Sequence, residues 1–319
     1  MYYYKICGLM IESMYPLSGA FAVPAFDEHK RDLFIREGHI EDRLLAVYEE
    51  DLISLAEGFF FKTFHTPTKS WVRMIGHGCM IVQNGNEIIY RLKEGTNTML
   101  IEETINCMCI GLIMIQRGQI MIHGSGVLWG DKAVIIGGES GSGKSTLTDS
   151  LLCEGAVFMA DDYVAVDIED GKIWAHPSVP QRKLCSDIVE KRGYDKSKLL
   201  LLPAEVGKNG VEKYAMRYIE DYSPERKLLG SLVVMQVRDD LKHGFIEKVT
   251  GSEKLKCITD NLYKYTAYIK LGLSREQFLE CVQIANHIDV YRLVRPPTGL
   301  SVDEMVFMVT DSLNSHTHL

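Results

Sequence analysis

The sequence predicts an α/β (α+β) fold: a mixed β-sheet core flanked by helices, preceded by a smaller β-rich region. Three observations predict it. A β-branched strand, Lys132 to Ile136, runs directly into a glycine-rich loop and then a short helix, Ser145 to Cys153. The segments after that unit read more often as strands than as helices, which favours a mixed sheet over a regular doubly wound one. The first hundred residues are dominated by strand-like pieces.

The elements follow in order. Tyr2 to Ile11 is apolar and β-rich. Residues 25 to 50 are charged and less patterned. Val72 to Arg91 reads as two strands joined at Asn84-Gly85-Asn86, a hairpin signal. Residues 101 to 118 look helical and stop near Gly118. Gln119 to His123 and Val127 to Trp129 read as short strand pieces before a Gly130-Asp131 turn. Beyond the loop helix, Gly155 is placed to stop it. Ala156 to Ala160 is a strand ending in Asp161-Asp162. Val164 to Ile168 and Lys172 to Trp174 form a hairpin pattern around Glu169-Asp170-Gly171. Ser231 to Val237, Phe245 to Val249 and Val290 to Val294 read as strands, and Gln277 to His287 as a helix. The natural boundary is near 100, giving residues 1–100 as an N-terminal region for acceptor or partner binding. Residues 101–319 form the nucleotide-binding, catalytic part.

Composition narrows the class. At 319 residues the chain is long enough for one large domain or two small ones, and 46% hydrophobic with 24% charged residues is ordinary for a globular protein. The net charge is −8 with no run of Lys and Arg, which argues against nucleic acid and against docking on anionic lipid. The most apolar stretch, Ile105 to Ile115, is about half of the roughly 20 residues of a spanning helix and reads as a buried one. The start lacks the features of a signal peptide. The eight cysteines are scattered without paired C-x-x-C spacing, so they read as reduced, buried thiols of a cytoplasmic protein. His316 and His318 sit in a polar tail and make no metal site.

The loop Gly138-Glu139-Ser140-Gly141-Ser142-Gly143-Lys144-Ser145 matches G-x-x-x-x-G-K-[ST]. Its glycines let successive backbone N–H groups turn inward as an anion nest. The helix that follows presents its positive end to the same phosphates. Lys144 is placed to reach β- and γ-phosphate oxygens, and the Ser145 hydroxyl to ligate Mg²⁺. Thr146, next in the chain, completes the candidate set. The pattern predicts binding of a purine nucleotide, ATP with Mg²⁺.

Asp161 and Asp162 follow Lys144 by 17 and 18 residues. If their strand runs parallel beside the loop strand, both end at one edge and the carboxylates approach the loop. Neighbours on a strand point to opposite sides, so the two carboxylates should take different jobs. One can hold Mg²⁺ and the other can accept the proton of an attacking hydroxyl. The pairs Glu102-Glu103 and Asp239-Asp240 lack this context and read as solvated surface.

The segment MIHGSGVLWGDKAVIIGGESGSGKSTLTDSLLCEGAVFMADDYVAVD resembles the catalytic core of HPr kinase/phosphorylase. It carries His123-Gly124 before the loop strand, the Gly138 to Ser145 loop, and Asp161-Asp162 after the next strand. The resemblance spans about 45 residues. It implies a fold related to phosphoenolpyruvate carboxykinase and phosphoryl transfer to a serine hydroxyl. It also implies that Asp161 is the base, Asp162 the metal-side carboxylate, and His123 a neighbour of the transferred group. The wider chain looks like the HPr-kinase-like proteins of lasso-peptide systems, through YYYKICGLMIES, Gln116-Arg117-Gly118 and His176-Pro177-Ser178-Val179-Pro180-Gln181-Arg182-Lys183-Leu184. HPr kinases assemble as homo-oligomers. The glycine-rich signature that the family carries after the aspartates, in the region tied to dephosphorylation, is missing, which removes support for the reverse reaction.

Phosphoryl transfer calls for cations beyond Lys144. Arg182 is the first choice, because it lies where the resemblance continues; Lys183, Arg217 and Arg295 are further candidates. Tyr163 reads as a packing residue. Two functions follow. The first is an ATP-dependent kinase acting on a hydroxyl of a peptide, protein or small molecule. The second is a nucleotide-sensing module that regulates or scaffolds a peptide-modifying complex without catalysis.

Overall fold

A computed structural model describes residues 1–41, 61–139, 141–203, 212–217, 222–263 and 272–315. Ser140 of the loop and the tail histidines His316 and His318 lie outside the described residues. The architecture is mixed α/β, with the helices set among several sheets.

Strands β1 (Tyr2–Ile6) and β2 (Leu9–Ser13) form a hairpin turning at Cys7 and Gly8, both at positive φ. β3 (Leu33–Glu37) runs parallel to β2. β4 (Phe61–His65), β5 (Lys69–Met74), β6 (Gly78–Gln83) and β7 (Glu87–Leu92) form an antiparallel meander. The sheet order is β1-β2-β3-β7-β6-β5-β4. The Asn84-Gly85-Asn86 turn is where the sequence predicts it, with Asn84 and Gly85 at φ 55° and 66°. The predicted two strands over Val72 to Arg91 are three. The extra turn lies at Ile75-Gly76-His77, which lacks the Asn-Gly signal.

Helix α1 (Thr98–Gln116) contains one π-helical stretch at Thr104–Cys109. It is long and apolar enough to cross a membrane by length and composition, but 78% of its apolar window is buried within the protein. Gln116 ties its end to the β6–β7 turn, donating to the Val82 carbonyl at 3.1 Å and accepting from the Gly85 N–H at 3.0 Å.

The reading of Glu102 and Glu103 as solvated surface is wrong. They are 8% and 6% exposed. Glu102 accepts from the Ser18 hydroxyl at 2.8 Å and faces Arg217 at 3.8 Å. Glu103 accepts from Gln181 and pairs with Lys183 at 2.9 Å. Buried carboxylates require such partners. Asp239 and Asp240 are exposed, as expected.

Next come β8 (Ile120–Trp129), β9 (Lys132–Gly138), helix α2 (Lys144–Cys153), β10 (Val157–Ala160), β11 (Tyr163–Glu169) and β12 (Lys172–His176). The two predicted pieces, Gln119 to His123 and Val127 to Trp129, are one strand. Gly124-Ser125-Gly126 looks like a break in sequence, yet Gly124 pairs with Gly137 and Gly126 with Ile135. A Cβ on Gly124 would lie 2.5 Å from the Ile136 carbonyl oxygen, so the glycine permits close backbone approach. β13 (Gln181–Cys185), helix α3 (Ser186–Arg192), β14 (Leu200–Leu201) and β15 (Lys213–Arg217) follow, the strands forming a small sheet of order β13-β15-β14. Then come β16 (Lys227–Val237), β17 (Phe245–Lys248), α4 (Ser252–Asp260), α5 (Arg275–His287), β18 (Asp289–Arg295) and α6 (Val302–Asn314). Ser274 and Ser301 start α5 and α6 with capping boxes.

In the larger sheet β9, β16 and β18 are mutually parallel neighbours, and β8, β10 and β17 join antiparallel. The first part of β8, residues 120–123, pairs with β11, and the first two residues of β16, Lys227 and Leu228, pair with β12. One core cluster lies between sheet residues such as Val134, Ile136 and Leu293 and the helices α2 and α6, through Leu147, Leu151, Met305 and Val309.

The chain forms two compact units that are interleaved along the sequence. One comprises Met1–Gln119, Val179–Ile219 and Lys264–Leu273; the other comprises Ile120–Ser178, Glu220–Tyr263 and Ser274–Leu319. All eight cysteines are free; most are buried, but Cys153 is exposed, against the expectation for the set.

Candidate phosphate-binding site

The site is built in the second unit, where β9 ends. Gly138 closes β9 at φ 127°, and a Cβ there would lie 2.4 Å from the Met235 carbonyl oxygen. Gly141 and Gly143 also take positive φ, 83° and 105°, which disfavours a side chain at either. Glu139 and Gly141 are exposed, while Ser142 is buried. α2 opens at Gly143 without a side-chain cap. Its first N–H groups and positive dipole end therefore face the loop with no built-in anion. The buried Ser142 hydroxyl has no hydrogen-bond partner among the described residues. Bend, uncapped helix and orphaned hydroxyl fit a phosphate group.

Cations gather on this loop. Lys144 curls back over it, its ammonium donating to the carbonyls of Gly138 at 2.7 Å and Glu139 at 2.9 Å. Arg295, at the end of β18, donates through Nε to the Ser142 carbonyl at 2.9 Å. Ser145 and Thr146 lie half-buried in the first turn of α2.

The aspartates reach this region by a route different from the predicted one. β10 runs in the same direction as β9 but is not beside it: β8 lies between, antiparallel to both. Two strand spacings, roughly 10 Å, separate β9 from β10. β8 thus carries the residues that link the two ends. Ser125, 3% exposed, donates its hydroxyl to Asp161 Oδ1 at 2.9 Å. The Gly124 N–H donates to the Asp162 carbonyl at 3.2 Å, and His123 Nδ1 lies 2.8 Å from the same oxygen.

The two carboxylates differ for another reason than strand alternation. Both lie in the bend after β10. The Tyr163 N–H donates to the Asp161 carbonyl at 2.8 Å, closing a three-residue turn around Asp162 at φ 65°. Such turns are rare and strained, and Asp is among the few residues other than glycine that tolerate this region. Strain of this kind concentrates at working sites. Tyr163 is buried against Tyr263 with ring centroids 5.1 Å apart, a packing role.

Arg182 lies in the first unit, on β13, and is 1% exposed. Lys183 and Arg217 belong to that unit too, where Glu103 and Glu102 engage them. Arg295 is the basic candidate found against the loop within the loop's own unit. Sequence reasoning missed Ser125 and Asn261. Asn261 accepts the Gly138 N–H on its Oδ1 at 2.8 Å. Ser125 sits two residues after His123 on the same strand, a signal that strand periodicity offers; Asn261 has no local signal.

No family model matches the chain, and no curated protein matches it. Among solved structures it is similar to the Hpr(Ser) kinase/phosphatase from Coxiella burnetii. The identity is 10% and the TM-score 0.29, over 61% of this chain and 95% of that one.

Proposed function

We propose that the second unit is a Mg²⁺- and ATP-dependent kinase site that transfers the γ-phosphoryl group to a serine-type hydroxyl of a peptide, protein or small molecule. The observation that carries this reading is the position of β8: Gly124 pairs with Gly137 on one side and bonds the Asp162 carbonyl on the other. The glycine-rich loop and the aspartate bend therefore flank one strand that also bears His123 and Ser125. The resemblance in sequence supplies His123-Gly124, the loop and Asp161-Asp162 in the same order.

In this reading Lys144 and the loop N–H groups bind the donor's phosphates, and Arg295 braces the loop from behind. Asp161, oriented by Ser125, takes the proton of the attacking hydroxyl. His123 stands beside the transferred group, held by the Asp162 carbonyl. Ser145 and Asp162 are the residues that would hold Mg²⁺. When bound, the ion neutralises charge on the phosphate oxygens. No ready-made cluster of three His, Cys, Asp or Glu groups occurs among the described residues. That suits an ion held partly by phosphate oxygens and water.

Incubation with Mg²⁺, ATP and a panel of serine peptides and small alcohols should give a phosphorylated product. Lys144→Ala and Asp161→Asn should each slow its formation by about 1,000-fold. Wild-type rates in both variants would overturn the assignment. Tight nucleotide binding without transfer to any acceptor would favour the sensing module instead.

A further inference from the structure

We infer that Asn261 is the positioning residue that sets the glycine-rich loop against His123, so that donor binding and the histidine are held by one side chain and its own backbone. The inference rests on the reading of Gly138 to Ser145 as the donor-phosphate site.

Asn261 ends α4 and is 8% exposed. All its polar groups are committed. Oδ1 accepts the Gly138 N–H at 2.8 Å, and Nδ2 donates to the Cys257 carbonyl at 2.7 Å. The backbone carbonyl accepts the His123 N–H at 2.7 Å, and the backbone N–H donates to Ile258 at 3.1 Å. The Cys257 carbonyl can only accept, so it fixes the amide with Nδ2 toward α4 and Oδ1 toward Gly138. The next residues are stapled to β8 as well. Leu262 bridges Ile122, and the Tyr263 N–H donates to the Met121 carbonyl at 2.8 Å.

The fit is tight from the loop side. A Cβ on Gly137 would lie 3.0 Å from Asn261 Oδ1, so the glycine at 137 makes room for this amide. Gly138 is the first residue of the loop and its carbonyl carries the Lys144 ammonium. A shift at Gly138 would therefore move the lysine too. Without an acceptor at 261 the buried Gly138 N–H is left unsatisfied, and the loop must move to find another partner.

The test uses the full chain labelled with ¹⁵N-glycine, in the wild type and in Asn261→Ala and Asn261→Asp. Two quantities are read: exchange of the Gly138 amide, and affinity for a non-hydrolysable ATP analogue with Mg²⁺. Alanine should speed Gly138 exchange and weaken the analogue by about tenfold. Aspartate keeps an acceptor for Gly138 but turns the donor at the Cys257 carbonyl into a second acceptor, so it should restore the slow exchange only in part. It should not restore affinity, because it adds a negative charge beside the phosphates. A role confined to holding α4 would leave Gly138 protected in the alanine variant, and that result overturns the inference. Should the alanine variant fail to fold, Asn261→Ser is compared in its place with the same expectation. If the wild type binds no nucleotide, the kinase reading fails while the Gly138 exchange pattern still decides the role of Asn261.

Discussion

Two adjacent acid pairs in this chain look alike in sequence and live in opposite surroundings. Glu102-Glu103 sit in a helix, buried, with cationic and amide partners close by. Asp161-Asp162 sit half-buried in a strained turn, with a hydroxyl on one carboxylate and the carbonyl of the other bonded to a histidine. The first pair is a solution to burial: each charge is matched, and removing one partner leaves the other stranded. The second pair sits in a positive-φ turn held by Gly124, His123, Ser125 and Tyr163 rather than by charge partners of the kind that surround the glutamates. Short acidic pairs thus carry little information by themselves; what touches them decides.

The contrast can be broken or sharpened by experiment. Asp161→Asn should slow phosphoryl transfer by about 1,000-fold, while the urea unfolding midpoint stays near that of the wild type. A variant that loses stability but retains transfer would reverse the roles assigned to the pairs. Glu103→Ala should cost about 3–5 kcal/mol of stability, because it removes the carboxylate that pairs with the part-buried Lys183. The unfolding curve checks this, and a midpoint unchanged from wild type would refute the buried pairing. Ser125→Ala removes one hydrogen bond to Asp161 and should cost about 1 kcal/mol, seen as a several-fold lower transfer rate with nucleotide affinity intact.

The smallest effect belongs to the exposed third pair. Hydrogen bonding from Arg238, with the guanidinium charge, holds the Asp240 carboxyl below its ordinary value of 3.8. Its folded pKa lies below the unfolded one, so any stabilisation is present above the unfolded value and lost as pH falls through the folded one. A carboxyl titration followed by NMR should show the depressed midpoint, and Asp240→Ala should leave both transfer and unfolding unchanged.

Much of the working region was legible because its signals are local. The strand into the loop, the loop itself, the helix start and the aspartate bend lie close together in the chain, and glycine marks the loop and the end of its helix. What was not legible depends on residues brought from far along the chain. The burial of Glu102 and Glu103 is decided by Ser18, Gln181, Lys183 and Arg217. The helix pattern around the two glutamates says nothing of those partners. The placing of β10 was misread because direction and adjacency are separate facts: a strand can run parallel to another with a third between them. Asn261 escaped notice because the helix it ends was not read in the sequence and its partner Gly138 lies far away in the chain.

The interleaving of the two units has a consequence for how the chain is made. Emerging from the ribosome, residues 1–119 come first, yet their unit is complete only when the segment ending at Leu273 has been synthesised. The loop-bearing unit closes later still, when β18 and α6 arrive. Neither unit can finish folding before the chain has been made as far as Leu273, and early segments must wait with apolar surface uncovered. A simple truncation at residue 120 would therefore not release an intact loop-bearing unit alone, because it would keep two stretches that belong to its neighbour.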